Sequence, residues 1–184
     1  GIGRMAIPMT TILDPAKGGR YEGFDVVASG VNWCTRKITA EFPHFHFTYV
    51  PLHNDLYRSD GEDARNFKFP YPDDHFDLVV LTSVFTHMVP DEMLHYLSEI
   101  RRVLVRGGRV FATFFIWNDR AEASTKGKGF SFPYDLGHYR LMDEKVQSAN
   151  VAFDESWLDA RFHDAGFNIV EKLYGSWSGR TGND

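Results

Sequence analysis

Several features are scarce or missing in this sequence, and each absence excludes a class of protein. It has one cysteine, Cys34, so it forms no internal disulfide, and a reducing cytoplasm is the expected compartment. No apolar run approaches the roughly 18 residues of a membrane-spanning helix, so no membrane association is expected. Positive charge is in deficit, with 20 Lys and Arg against 25 Asp and Glu. That balance disfavours a broad phosphate-binding surface, and nucleic acid is not an expected partner.

What the sequence does contain is enough apolar material for one core. Hydrophobic residues make up 43% of the 184 positions and aromatic residues 15%, without internal repeats or low-complexity blocks. We therefore expect a single domain over residues 1–184. No pattern specifies an oligomeric state.

The clearest structural signal is the stretch 76–90, FDLVVLTSVFTHMVP. Residues 78–82 are apolar or β-branched without alternation, which predicts a central parallel strand buried on both faces. Residues 91–104 carry apolar side chains at near-helical spacing, and Pro90 suits the first helical position. Ligands of open α/β sheets bind beyond the carboxyl ends of the strands, so residues 82–84 are expected at a site.

The other elements follow from the same patterns. Gly107 and Gly108 are expected to end the helix, and the next parallel strand to span residues 109–117. Further strands are predicted over residues 21–27, 45–50 and 167–174.

Three more segments complete this outline. A helix is predicted with Val31, Cys34, Ile38 and Phe42 on one face, and a last helix is capped by Asp154. Residues 51–72 form a long polar connection typical of a binding loop. Residues 118–150 mix glycines with aromatic side chains, which predicts an insertion that covers a substrate at the strand ends.

Two groups of residues are candidates for chemistry. Gly1 and Gly3 lead into an apolar stretch, as in a strand-to-helix turn where backbone N–H groups approach a ligand closely. His87, near the end of the central strand, is the candidate general base, with a packing or capping role as the alternative. His44, His46 and His53 have no Cys, Asp or Glu at a matching short spacing except Asp55, and zinc sites need three or four ligands, so no metal site is expected.

Four elements, taken in order, carry a family resemblance. They are Gly1-x-Gly3, Asp25 at the end of the next strand, the Phe76-Asp77 strand with Ser83 and His87, and Arg106-Gly107-Gly108. In this order they resemble a class I S-adenosylmethionine-dependent methyltransferase. The resemblance implies a Rossmann-like three-layer α/β sandwich, with a mostly parallel sheet and helices on both faces.

Two departures from the family pattern affect the ends of the chain. The first strand of the family is absent before the glycine turn, and the last hairpin strand would fall beyond residue 184. We therefore expect a chain truncated at both ends relative to that family.

The resemblance also implies a cofactor, S-adenosylmethionine, and residues that bind it. Gly1 and Gly3 would line its methionine end, and Asp25 would accept hydrogen bonds from both ribose hydroxyls. Asn54 or Asp55, with the backbone of Leu56, would meet the adenine amine. The backbone at Thr82, Ser83 and Val84 would contact the amino acid portion.

The resemblance implies methyl transfer to a small-molecule acceptor whose identity the sequence does not specify. Two other functions remain open. An NAD(P)-dependent Rossmann oxidoreductase also uses glycines and an acidic residue after the second strand, but a Tyr-x-x-x-Lys pair is missing here. A non-catalytic cofactor-binding module is the other alternative.

Overall fold

Residues 1–56, 60–125, 129–175 and 177 are described by the computed structural model. They divide into two units, Gly1–Glu62 and Asp63–Asp184. Both units contain parallel strand pairs and helices, in agreement with the predicted α/β class. No helix of these residues is long and apolar enough to cross a membrane.

The first unit is built on two parallel strands, β1 (Tyr21–Asp25) and β2 (Phe45–Tyr49). Before β1 stands the short helix α1 (Ala6–Met9). Between the strands lies α2 (Ala28–Cys34), which continues as one π-helical turn, Thr35–Thr39. The predicted β-α-β order of this region is therefore confirmed.

The core of the first unit forms where α1 and α2 meet β2. Its fully buried members are Ala6, Cys34, Ile38 and Phe45, with partly buried hydrophobic side chains around them. Tyr21 stacks on Phe45 with ring centroids 5.2 Å apart. Cys34 is thus a core thiol, and burial raises its pKa, which keeps it protonated.

The second unit contains six strands and three helices among its described residues. The parallel pair β3 (Phe76–Leu81) and β4 (Leu104–Ala112) is connected by α3 (Pro90–Val103). A four-stranded sheet follows, in the order β5-β8-β7-β6. Its strands are β5 (Phe115–Trp117), β6 (Tyr134–Asp135), β7 (Tyr139–Leu141) and β8 (Val151–Asp154).

Two helices flank this second sheet. Helix α4 (Asp119–Thr125) follows β5, and α5 (Glu155–Asp164) follows β8. Asp154 caps α5 as predicted, because its carboxylate accepts a hydrogen bond from the backbone N–H of Trp157 at 2.8 Å. Gly166, with a φ of +81°, ends the helix.

The prediction that Gly107 and Gly108 end α3 is wrong. The helix ends at Val103, and β4 begins at Leu104 and runs through both glycines. They lie in an irregularity where Phe76 pairs with Leu104 but Leu78 pairs with Arg109. Gly107 adopts a φ of +82° there, so the glycines allow a bulge in a strand instead of a helix stop.

Two further expectations about strands are also wrong. The central strand was expected to be buried on both faces, but the Leu78 side chain is 48% exposed. Among the described residues of its unit, β3 has one strand neighbour, β4, and burial on both faces needs more layers than that. Residues 167–174 form no strand, because no described segment pairs with them.

Candidate functional site

The glycine turn at the start of the chain packs tightly against α2. Gly3 has a φ of +78°, and a Cβ on it would lie 2.6 Å from Cδ1 of Ile38. A Cβ on Gly30, in α2, would lie 2.6 Å from the carbonyl oxygen of Gly1. Only glycine therefore fits at Gly30 without a backbone shift, and at Gly3 the positive φ favours glycine. That a ligand approaches the backbone at this turn stays a prediction.

Asp25 lies beside that turn, at the carboxyl end of β1. Its Oδ1 accepts a hydrogen bond from the backbone N–H of Val27 at 2.8 Å, and its Oδ2 contacts the backbone nitrogen of Gly1. The side chain remains 31% exposed. The structure thus brings Gly1 and Asp25 together, and the carboxylate retains lone pairs for further donors such as hydroxyl groups.

The loop after β2 begins next to Asp25. The two strands end in register, and the backbone N–H of Val50 donates to the Asp25 carbonyl at 3.1 Å. Further on, the side-chain oxygen of Asn54 accepts from the backbone N–H of Leu56 at 3.0 Å. Asn54 and Leu56 therefore form a closed local turn, which leaves the Asp55 carboxylate 3.6 Å from Nε2 of His53. Residues 57–59 of this loop lie outside the described part of the chain.

The corner after β3 supplies the second group of predicted residues. Thr82 and Ser83 are exposed, while Leu81 before them and Phe85 after them are buried. Ser83 adopts a φ of +54°, which is rare for a residue with a side chain. Its backbone N–H donates to Oγ1 of Thr113 at 2.9 Å. The corner is an exposed, well-defined turn at the carboxyl end of a parallel strand.

His87 ends the 3-10 turn Phe85–His87 that follows this corner. Its Nδ1 lies 2.8 Å from the carbonyl oxygen of Ser148, near the end of the 118–150 segment. A carbonyl oxygen can only accept, so Nδ1 donates the proton in this contact. His87 therefore links the corner to the predicted insertion.

The 118–150 segment joins the second sheet beside β8 and carries a cluster of aromatic rings. Phe115 of β5 lies 5.3 Å from each of the rings of Phe130, Phe132 and Trp177. Phe132 is buried, whereas Phe130 is 42% exposed. The cluster thus offers an apolar ring surface beside β5, whose first residue is Phe115.

The histidines considered for metal binding have other partners. Nε2 of His44 lies 3.2 Å from the carbonyl oxygen of Leu13, and Nδ1 of His46 lies 3.1 Å from the Glu22 carboxylate. Across the described residues, no group of three or more His, Cys, Asp or Glu side chains is arranged to hold a metal ion.

Two contacts in this region were missed by the sequence reasoning. Thr113 lies one residue beyond Ala112, which pairs with Leu81, so its position beside the corner follows from the strand register and not from a local sequence pattern. Ser148 acts through its carbonyl group, which every residue type carries, so no sequence signal identifies it.

This chain is similar to known methyltransferases in sequence and in structure. A sequence model described as "Methyltransferase domain" matches residues 1–112 of this chain. Among solved structures, a protein from Pyrococcus horikoshii OT3 is similar, with a TM-score of 0.57 and 17% identity over 88% of this chain and 66% of its own. A SAM-dependent methyltransferase from Methanosarcina mazei is also similar, with a TM-score of 0.55 and 16% identity. The match covers 90% of this chain and 74% of that protein.

A third similar structure contains ligands. It is the Burkholderia thailandensis 1,6-didemethyltoxoflavin-N1-methyltransferase with 1,6-didemethyltoxoflavin and S-adenosylhomocysteine bound. Its TM-score is 0.54, with 18% identity over 93% of this chain and 58% of that chain. This chain therefore spans less than two thirds of two of these three proteins. At such identities the structural similarity establishes the fold, which is the predicted Rossmann-like α/β fold.

Proposed function

The chain belongs to the class I S-adenosylmethionine-dependent methyltransferase family, and from that premise we propose that it transfers a methyl group to a small-molecule acceptor. The observation that carries this proposal is in the first unit. A glycine turn, in which Gly3 has a positive φ and packs against α2, lies against a carboxylate at the end of a parallel strand. Such a cradle suits a ligand that presents hydroxyl groups close to the backbone.

In the first unit, the residues fit the nucleoside part of S-adenosylmethionine. Asp25 would accept hydrogen bonds from the ribose hydroxyls, because each carboxylate oxygen has two lone pairs and the contacts with Val27 and Gly1 use one on each oxygen. Gly1 and Gly3 would line the methionine end. Because the Leu56 N–H is bonded to Asn54, we favour the Asp55 carboxylate as acceptor for the adenine amine.

In the second unit, the corner Thr82, Ser83 and Val84 would meet the amino acid part of the cofactor. The bound cofactor supplies a sulfonium methyl that is already activated, so the protein's contribution is mainly to hold the acceptor in line. Should the acceptor have to lose a proton, we assign that role to His87. Its Nδ1 is held by the Ser148 carbonyl, so the proton would be taken up at Nε2.

The proposal of a small, ring-containing acceptor is supported by the aromatic cluster in the 118–150 segment. Phe130 presents nearly half of its surface to solvent beside buried rings, as expected of a surface that stacks on a planar ligand. We propose that residues 118–150 cover the acceptor, within one domain over residues 1–184. The similar Burkholderia enzyme binds a ring compound of this kind, 1,6-didemethyltoxoflavin.

Calorimetric titration of the protein with S-adenosylhomocysteine, and separately with NADH, tests the proposed function. We expect S-adenosylhomocysteine alone to bind. Binding of NADH alone would replace methyl transfer by hydride transfer. Binding of S-adenosylhomocysteine, followed by failure to methylate any acceptor in a broad ring-compound panel, would favour the non-catalytic module.

A further inference from the structure

The corner at Ser83 is held in a conformation that its own residue type disfavours. A side-chain-bearing residue at a φ of +54° crowds its Cβ against the backbone, so the conformation persists only where neighbours enforce it. Leu81 and Phe85 are buried on either side, while Ser83 itself is exposed. Packing of the Ser83 side chain therefore does not account for the turn, and the neighbours must supply the restraint.

Thr113 supplies that restraint with two hydrogen bonds. Its backbone N–H donates to the carbonyl of Leu81 at 3.0 Å, which extends the parallel pairing of β3 and β4 by one step. Its Oγ1 then accepts from the backbone N–H of Ser83 at 2.9 Å, after the chain has left the sheet. One residue thus bonds to both ends of the turn.

Thr113 is itself fixed by its surroundings. The next residue, Phe114, stacks on Phe85 with ring centroids 4.8 Å apart, and its ring also contacts Phe153 and Phe162 edge to face. A branched Cβ further restricts the rotamer of Thr113. The hydroxyl therefore sits on a rigid segment, so its bond to Ser83 transmits that rigidity to the corner.

We propose that Thr113 is a positioning residue for methyl transfer, because it fixes the Ser83 corner against which the amino acid part of S-adenosylmethionine binds. This inference rests on the proposed function. Thr113 acts through the backbone of Ser83 and need not contact the cofactor. The role requires a hydrogen-bond acceptor at residue 113, which serine retains and valine, of nearly the same shape, lacks.

The affinities of Thr113 variants for two ligands distinguish a positioning role from a general effect on stability. S-adenosylhomocysteine carries the amino acid part, whereas 5′-methylthioadenosine has the same nucleoside and thioether without it. We expect Thr113→Val to weaken S-adenosylhomocysteine binding about five- to tenfold, as for one lost hydrogen bond. Affinity for 5′-methylthioadenosine should be unchanged, and Thr113→Ser should bind both ligands like the wild type.

Ser83→Gly provides a second, independent test, because glycine adopts a positive φ without restraint. In the Ser83→Gly protein, Thr113→Val should cost less S-adenosylhomocysteine affinity than in the wild type. Equal weakening of both ligands, wild-type affinity in Thr113→Val, or equal costs in the two backgrounds would each overturn the inference. A wild-type protein that binds neither ligand would overturn the proposed function first, and the inference with it.

Discussion

Replacing Asp25 by asparagine tests the carboxylate on which the proposed cofactor site depends. Asparagine keeps one carbonyl oxygen, which can continue to accept from the Val27 N–H, now at 2.8 Å from Oδ1. The other oxygen, which contacts Gly1, becomes an NH₂ group, so a ribose hydroxyl would meet a donor in place of the proposed acceptor. Loss of one hydrogen bond to a charged group costs about 1.5–3 kcal/mol, or about 10- to 150-fold in affinity.

The assay is calorimetric titration of Asp25→Asn and wild type with S-adenosylhomocysteine, and Asp14→Asn is the matched control. Asp14 makes the same local bond, since its Oδ1 accepts from the backbone N–H of Ala16 at 2.9 Å, two residues on. It lies outside the proposed site, and its side chain is 47% exposed. Affinity within twofold of wild type for Asp25→Asn, or an equal loss for Asp14→Asn, would refute the reasoning.

Three further predictions address other parts of the chain. His87→Asn keeps an N–H donor for the Ser148 carbonyl, so the melting temperature of this variant should stay near that of the wild type. Its turnover of an acceptor that must lose a proton should fall about 10²- to 10⁴-fold. Unchanged turnover would show that His87 is not the base. Gly30→Ala should lower both the melting temperature and the affinity for S-adenosylhomocysteine, because its Cβ would lie 2.6 Å from the Gly1 carbonyl oxygen. Without that contact, alanine would stabilise a helix by about 0.5–1 kcal/mol relative to glycine. Gly129→Ala is the control, because a Cβ at that residue meets nothing within 4 Å. Hydrogen bonds from Arg102 lower the pKa of the buried Glu99. The pair therefore stabilises the folded state at pH values above the ordinary glutamate pKa. This stabilisation is lost as the pH falls below that value. Urea unfolding should give Glu99→Gln about 1.5–3 kcal/mol less stability at neutral pH and a shallower acid dependence than the wild type; parallel acid profiles would contradict this.

The sequence predicted elements best where one pattern sufficed to define them. The start of helix α3 was predicted correctly, because its apolar spacing and Pro90 at the first position agree, whereas its predicted end at Gly107 and Gly108 was wrong. Strands β1 and β2 followed from short apolar runs bounded by turns. The cap of α5 was predicted from Asp154 alone, and the bond to Trp157 confirms it.

The errors arose where one residue type serves two purposes. Glycine ends helices, but it also permits strand bulges, and near Gly107 the pairing of Leu104 with Phe76 decides between them. That pairing joins residues distant in sequence, so no local pattern contains it. The same limit applies to residues 167–174, whose apolar character suits a strand that no described neighbour pairs with.

In the candidate site, Ser83 and Thr113 lie just beyond the ends of two adjacent parallel strands. Ser83 was identified from the position of a strand end alone, but the restraint on it comes from Thr113, at the end of the adjacent strand. In a parallel pair the two carboxyl ends lie at one edge, so a hydroxyl just past one strand can bond to the backbone that leaves the other. Here the register pairs Leu81 with Ala112, so Ser83 and Thr113 both lie just beyond the ends of their strands. Because the bond uses a backbone N–H, the residue to substitute in a test is Thr113, whose side chain supplies the acceptor.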